Sequence, residues 1–307
     1  MKKTATKILV IFLLLFLTIS IVFLLMHSIG DGPSIINSAQ IDQSVKDTFN
    51  KKYGLDQPIY IQLLLFWKNL FTGNLGVSLS IHLGSEINSF IWPKFGRSLL
   101  IGGIAAVVGM IVGVIFGVII GLRPHKFFDK FMQIMIALFV ALPAFIIALA
   151  LVIVASKSHF PISYDDSNPI TWILPIVSIS IPLSMITTKF MRTRLLAALE
   201  TPYTKLALTK GLTRRRIIIR HLLKESLFTI ATNLPSSILL SVVSSILVEN
   251  IFTIPGLGRL YTQAIQSKDY NVVLSITSMM VILVSLSFII RDWLYVILNP
   301  RLRRSYG

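Results

Sequence analysis

Long apolar runs separated by short polar stretches dominate the hydropathy pattern of the chain. Six runs are long enough to cross a bilayer core of about 30 Å at about 1.5 Å per residue. They are residues 8–26, 97–122, 127–155, 171–189, 227–248 and 271–290. The pattern predicts an all-α polytopic membrane protein with six transmembrane helices. The first run is longer than the apolar core of a signal peptide, which favours an uncleaved anchor over a cleaved leader.

Composition and motifs narrow the class of protein. Hydrophobic residues make up 54% of the 307 residues and charged residues 14%, which excludes an ordinary soluble domain. The chain has no Cys, no P-loop motif, no i, i+4 pair of His and no Ser, His and acid set on one helix face. We therefore expect no catalytic residue, no metal site and no cofactor. Energy for any activity must therefore come from a partner or an ion gradient.

The net charge of +16 is unevenly distributed. The N-terminal tail, residues 123–130, residues 189–225 and the chain from residue 291 hold 20 of the 29 basic residues and 4 of the 13 acidic residues. The positive-inside rule predicts that these parts, including both termini, are cytoplasmic. Residues 27–94 then form an extracytoplasmic segment with helical pieces around residues 44–53 and 58–71. This distribution explains the high pI, so no nucleic-acid partner is expected.

Prolines and glycines inside the runs predict how the helices pack. Four prolines, each expected to free a backbone carbonyl, indicate a bundle around a pathway; they are Pro143, Pro175, Pro182 and Pro235. In the second run, small residues recur every four positions at Gly109, Gly113, Gly117 and Gly121. This spacing predicts a face for close helix contact, and a surface that slides during transport is the less favoured alternative.

The longest polar interruption in the second part of the chain is residues 201–225, TPYTKLALTKGLTRRRIIIRHLLKE. Thr201 and Thr213 are predicted N-caps of two helices, and Gly211 is a predicted left-handed cap between them. One face of the first helix carries Tyr203, Leu206, Ala207 and Lys210. Such a face fits a shallow groove on another protein. A basic loop that lies on anionic lipid is the alternative.

A second segment, residues 249–260, has the sequence ENIFTIPGLGRL. Pro255 ends a helix, and Gly256 and Gly258 permit a tight turn, so we predict a short re-entrant or interfacial hairpin on the outer face. Glu249 is the ionisable residue nearest the membrane interior. Capping or pairing with Arg259 is favoured over contact with a substrate.

These segments resemble one family. The stretch KLALTKGL is similar to the EAA loop of ABC importer permeases, with Lys205, Leu206 and Ala207 at its leading positions and Gly211 at its glycine. Only the third leading residue and the glycine match the general motif. The stretch is closer to the B-type permease of oligopeptide, dipeptide and nickel importers. That subfamily's pattern is also matched by LDQPIYIQ, GNLGVSLS, ENIFTIPGLGRL and NPRLR at residues 55–62, 73–80, 249–260 and 299–303. Asn74 and the stretch HSIGDGP at residues 27–33 depart from it.

The resemblance implies a type I ABC importer permease (MetI-like) fold in a bacterial cell membrane. It implies four parts: a cytoplasmic tail with the first transmembrane helix (1–26), the extracytoplasmic segment (27–94), the permease domain (95–297) with a coupling loop (190–226), and a cytoplasmic tail (298–307). The implied partners are a second homologous permease, two cytoplasmic ABC ATPase subunits, an extracytoplasmic substrate-binding protein and membrane lipid.

The resemblance also implies functional residues. The expected ATPase-coupling residues are Tyr203, Lys205, Leu206, Ala207, Lys210 and Gly211, and the expected outer-face motif is Glu249, Pro255, Gly256, Gly258 and Arg259. Peptide import is the favoured function, with nickel or metal-chelate import as the alternative. An ion-coupled secondary transporter is disfavoured because the runs lack carboxylates in mid-span.

Overall fold

The computed structural model describes residues 2–28, 44, 48, 50–51, 54, 56–158 and 160–298. Its α-helices are α1 Lys2–Ser28, α2 Ile59–Phe71, α3 Ile87–Leu122, α4 Phe127–Ala141, α5 Ala144–Lys157, α6 Ile173–Leu199, α7 Pro202–Thr209, α8 Arg214–Ile217, α9 Leu223–Ser244, α10 Ile246–Ile251, α11 Leu257–Gln266 and α12 Tyr270–Leu298. A 3₁₀ turn, Pro169–Trp172, precedes α6, and a π turn, Ile218–Leu222, joins α8 to α9. Most of the predicted helical piece at 44–53, and the NPRLR stretch at 299–303, lie outside the described residues.

The predicted membrane spans are confirmed, and one of them is broken. Among the described residues, five helices are long and apolar enough to cross a membrane, and the pair α4 and α5 makes a sixth span if it counts as one. The two helices of this pair are bent by 103°, at the break that Pro143 was predicted to make. Pro182 and Pro235 lie inside α6 and α9, as predicted. Pro175 does not interrupt a helix, because it lies in the first turn of α6, where backbone N–H groups have no intrahelical partner.

The described residues form two compact units. The first contains the chain up to Arg97 together with Pro255–Ser285. The second contains Ser98–Ile254 and residues 286–298.

In the first unit, α2 packs antiparallel along α1. Stacked aromatic rings join Phe16 to Trp67 with centroids 4.6 Å apart, and Trp67 Nε1 donates to Ser20 Oγ at 3.1 Å. Nearer the end of α1, His27 Nε2 lies 3.1 Å from Gln62 Oε1. The predicted helix at 58–71 is therefore confirmed. The helix α2 packs on α1, which is a predicted membrane span. The polar character of residues 27–94 did not indicate this contact.

In the second unit, the glycine face of α3 packs closely on α6. A Cβ atom built on Gly113 would lie 2.5 Å from Thr187 Cβ, and one on Gly117 would lie 2.5 Å from Met191 Cβ. Thr188 Oγ1 donates to Gly113 O at 3.2 Å across the same contact. The predicted close helix contact is confirmed, since only glycine allows the backbones to approach this far.

Candidate functional site

The short helix α7 has both predicted ends. Thr201 occupies the N-cap position with extended backbone angles, and Pro202 is the first helical residue. At the other end, Gly211 has a φ of +83°. Gly211 N donates to Leu208 O at 3.0 Å, and Leu212 N donates to Ala207 O at 3.2 Å. These two bonds form a Schellman motif, which ends the helix after about two turns.

The Thr201 side chain has a different role from the predicted one. It makes no capping hydrogen bond within α7. Instead, the hydroxyl groups of Thr201 and Thr204 donate to Ala198 O at 2.7 and 2.9 Å. Ala198 lies in the last turn of α6, where carbonyl groups lack intrahelical partners. The two threonines thus attach α7 to the end of α6, and Thr204 is fully buried there.

The exposed side of α7 carries large apolar residues. Tyr203 is 53% exposed and Leu206 is 58% exposed, and Lys210 is also exposed. Ala207 differs from its three predicted neighbours, because it is half-buried and packs on the unit's own core. We call Tyr203, Leu206 and Lys210 the outer stripe of α7.

The chain after α7 is fixed on the same core. Arg216 N lies 3.4 Å from Thr213 Oγ1, so the predicted Thr213 cap is present. Ile217 and Ile218 are buried in a cluster against which Val118 and Leu122 of α3 also pack. The π turn that follows, Ile218–Leu222, is of a type that often occurs at functional sites. Its presence in this segment was not predicted.

A buried ion pair holds the neighbouring loop. Asp129 is 1% exposed and accepts two hydrogen bonds from Arg192, from Nε at 2.6 Å and from Nη2 at 2.8 Å. Asp129 Oδ2 also accepts from His125 N at 2.8 Å. His125 has a φ of +64°, so this carboxylate fixes an unfavourable turn between α3 and α4. The only sequence signal for this arrangement was an isolated acid in an apolar span.

A pocket of about 420 Å³ lies where α4 and α5 bend apart. Its lining includes Pro143, Pro182 and Leu183, with Ser237, Ser241 and Ser244 of α9. No charged side chain lines it. The proline break and the hydroxyl groups make this a weakly polar surface within an apolar bundle.

The outer-face motif begins in α10, which ends at Ile251, and continues into α11, which begins at Leu257. Gly256 has extended backbone angles and is the N-cap of α11, and Gly258 lies inside this helix. The predicted tight turn at these glycines is therefore wrong. The apolar residues Leu257, Leu260 and Ala264 recur at helical spacing and are buried. The prediction that Pro255 ends a helix is also wrong, because α10 already ends at Ile251. Pro255 lies just before Gly256, and Arg259 in the first turn of α11 is half-buried.

Glu249 lies in the other unit, on α10, and is fully buried. Its Oε1 accepts a hydrogen bond from Ser245 Oγ at 2.7 Å. This hydrogen bond joins Glu249 to the N-cap residue of its own helix.

The GNLGVSLS segment is held by an acid that the sequence did not indicate. Asp269 is fully buried and accepts hydrogen bonds from Ser78 Oγ at 2.5 Å, Leu79 N at 3.1 Å and Ser80 N at 2.9 Å. Ile81 N donates to the same carboxylate at 3.1 Å. One side chain thus fixes four consecutive residues of the outer segment.

Comparison with known proteins identifies the family. Residues 113–304 match the family described as binding-protein-dependent transport system inner membrane component. The chain belongs to this family. It is the permease subunit of an ABC importer and a multi-pass membrane protein, as the motifs predicted. The matched range includes both the segment around α7 and the outer-face motif.

Individual relatives of this permease cover nearly its whole length. It is 25% identical over 293 residues to the dipeptide transport system permease protein DppB of Lactococcus lactis subsp. cremoris, with 95% of each chain covered. It is 28% identical over 292 residues to the oligopeptide transport system permease protein OppB of Escherichia coli, with 94% of this chain and 95% of that protein covered.

A solved structure of the methionine ABC transporter MetNI in an inward-facing conformation is similar in fold. The TM-score is 0.58 at 16% identity, over 69% of this chain and 98% of that chain. The predicted type I importer permease fold is therefore confirmed.

Proposed function

We propose that this permease forms half of the pathway of a peptide importer, and that α7 transmits the closure of an ATPase dimer to its helices. The relatives described above are named for dipeptide and oligopeptide transport, which favours peptides over nickel or metal chelates. The partners in this proposal are a second homologous permease, two cytoplasmic ATPase subunits and an extracytoplasmic binding protein.

One observation carries the coupling role of α7. The helix presents its outer stripe to the outside while Thr204 and Ala207 attach it to the unit's own helices. A movement of the partner bound to the outer stripe would move α6 as well, because the threonine hydroxyl groups donate hydrogen bonds to the end of that helix. An exposed Tyr is a common anchor at protein interfaces, and an apolar helix face is what a hydrophobic groove on a partner accepts.

Two leucines of α7 test this role with matched chemistry. Leu206 belongs to the outer stripe, whereas Leu208 is 42% exposed and lies about 200° further around the helix. We expect Leu206→Ser to reduce co-purification of the ATPase subunits and Leu208→Ser to leave it unchanged. Equal retention of the ATPases by both variants would remove the support for docking through the stripe. Equal loss in both would indicate that the helix itself is disturbed.

The neutral pocket at the bend of α4 and α5 is the proposed wall of the pathway in this subunit. Its hydroxyl groups and apolar side chains suit passage of peptides with varied side chains, since no fixed charge selects among them.

Neighbouring serines provide the test in this naturally Cys-free chain. Ser237 lines the pocket, whereas Ser236 is buried and donates to Asn233 O at 2.8 Å. We expect a water-soluble thiol reagent to label Ser237→Cys and not Ser236→Cys; the reverse pattern would contradict the assignment.

The proposed orientation has both termini and α7 in the cytoplasm. It rests on the excess of basic residues in those parts of the chain. In intact cells, an impermeant thiol reagent should label Ser44→Cys and should not reach Thr209→Cys until the membrane is opened. If only Thr209→Cys were labelled in intact cells, the orientation of the chain would be the opposite of the proposed one.

A further inference from the structure

A basic pocket in the second unit lies beside the turn between α3 and α4. Its volume is about 1080 Å³. Three exposed cations line it: Arg123 and Lys126 in the turn, and Arg215 on α8. Neither coupling through α7 nor the neutral pocket makes use of these residues.

The fold holds the three cations together. The ion pair of Asp129 with Arg192 fixes the turn that carries Arg123 and Lys126. The buried pair Ile217 and Ile218 anchors α8 on the end of α3 and so brings Arg215 to the same place.

The positive charge of the pocket has no protein counterion among the described residues. The carboxylate of Asp129 also lines the pocket, but both of its oxygens accept hydrogen bonds from Arg192. In the described part of the chain, none of Arg123, Lys126 and Arg215 forms an ion pair with an acidic side chain. Three like charges around one pocket repel each other, so an anion bound between them would be stabilised.

The backbone adds donors at the same place. The helix α4 begins at Phe127, and its N-cap residue is Lys126, whose side chain has no acceptor for the first-turn N–H groups. These N–H groups and the helix dipole favour a phosphate. A helix start alone would be weak evidence, but here it coincides with the three cations.

The remaining wall of the pocket is apolar. Ile119 and Phe128 are each 43% exposed, and Phe127 is 85% exposed next to Lys126. A soluble phosphate compound would leave this surface in contact with water, whereas a lipid would cover it with an acyl chain. We propose that the pocket binds an anionic phospholipid, with the phosphate between the three cations and an acyl chain against Ile119, Phe127 and Phe128.

The test uses the purified importer complex titrated with phosphatidylglycerol, with bound lipid measured by native mass spectrometry. The pocket variant combines Arg123→Gln, Lys126→Gln and Arg215→Gln. The control variant removes three cations elsewhere, through Lys189→Gln, Arg194→Gln and Arg291→Gln. We expect the pocket variant to bind phosphatidylglycerol about 100-fold more weakly, since each cation near a lipid headgroup contributes about fivefold. The control should bind like the unmodified complex.

Two additional measurements distinguish a bound lipid from a soluble phosphate compound and from a protein contact. Phe127→Ser should weaken phosphatidylglycerol binding, and glycerophosphoglycerol, which has the same headgroup without acyl chains, should compete poorly. Equal binding by the pocket and control variants would overturn the proposal, and so would equally effective competition by glycerophosphoglycerol. If the pocket variant loses ATPase subunits while its lipid binding is unchanged, the pocket is a protein contact and the proposal is wrong.

Discussion

Replacing Gly113 with Ala tests the closest contact in the second unit. The added methyl group would lie 2.5 Å from Thr187 Cβ and 2.6 Å from Ser184 O. Both atoms belong to or adjoin the backbone of α6, so a side-chain rotation cannot relieve the clash. Ordinary contacts begin at about 3.4 Å, so α3 and α6 must separate locally by about 0.9 Å. Overpacking of this kind costs about 1–3 kcal/mol.

Gly103→Ala on the same helix is the matched control. Its methyl group would lie 3.6 Å from Ile238 Cγ2, an ordinary contact. Both substitutions gain the same helix propensity, so the difference between the two variants isolates the packing cost. We expect Gly113→Ala to lower the free energy of unfolding in detergent by about 1–3 kcal/mol relative to Gly103→Ala. Equal stability of the two variants would refute the close packing of α3 on α6.

Three further substitutions test separate features. Gly211→Val should reduce ATP-driven uptake, because the left-handed conformation costs a β-branched residue about 1 kcal/mol or more. Gly211→Asn should retain uptake, since Asn tolerates this conformation. Equal uptake by the two variants would argue against the cap. Asp129→Ala should cost about 3–5 kcal/mol of unfolding free energy, since it leaves Arg192 without its buried partner; an unchanged midpoint of thermal unfolding would contradict this. Asp269→Asn should make residues 78–81 sensitive to protease, and continued resistance would count against the role of that carboxylate.

The features predicted correctly from the sequence depend on local periodicity. Each membrane span is a continuous apolar run, and the glycines of α3 recur at the spacing of one helix face. The cap at Gly211 was also predictable, because a left-handed residue between two helices is usually glycine. These signals lie within a few residues of the structure that they specify.

The features that were missed depend on contacts between distant parts of the chain. Asp129 and Arg192 are 63 residues apart, and Asp269 binds residues about 190 positions earlier. No local pattern specifies such pairs. The tight turn predicted at Gly256 and Gly258 was a different kind of error, because the helical spacing of Leu257, Leu260 and Ala264, and not the glycines, determines the local structure.

The orientation of α7 is intermediate between these cases. Its periodicity predicted one face, but the tertiary contacts of Thr204 and Ala207 decide which part of that face is outside. Ala207 thus packs on the unit's own core. A larger side chain at this position would disturb the packing of α7 as well as any contact with a partner. Leu206 is the cleaner position for a test.

We propose above that this permease serves an ATP-driven peptide importer. The most direct measurement is uptake of a labelled peptide by proteoliposomes that contain this chain with its partner permease, ATPases and binding protein. We predict uptake that requires ATP hydrolysis and the binding protein, persists when ionophores collapse the ion gradients, and is not competed by nickel. Uptake that continues without ATP and stops with the ionophores would contradict the claim, as would ATP-driven uptake of nickel without uptake of peptide.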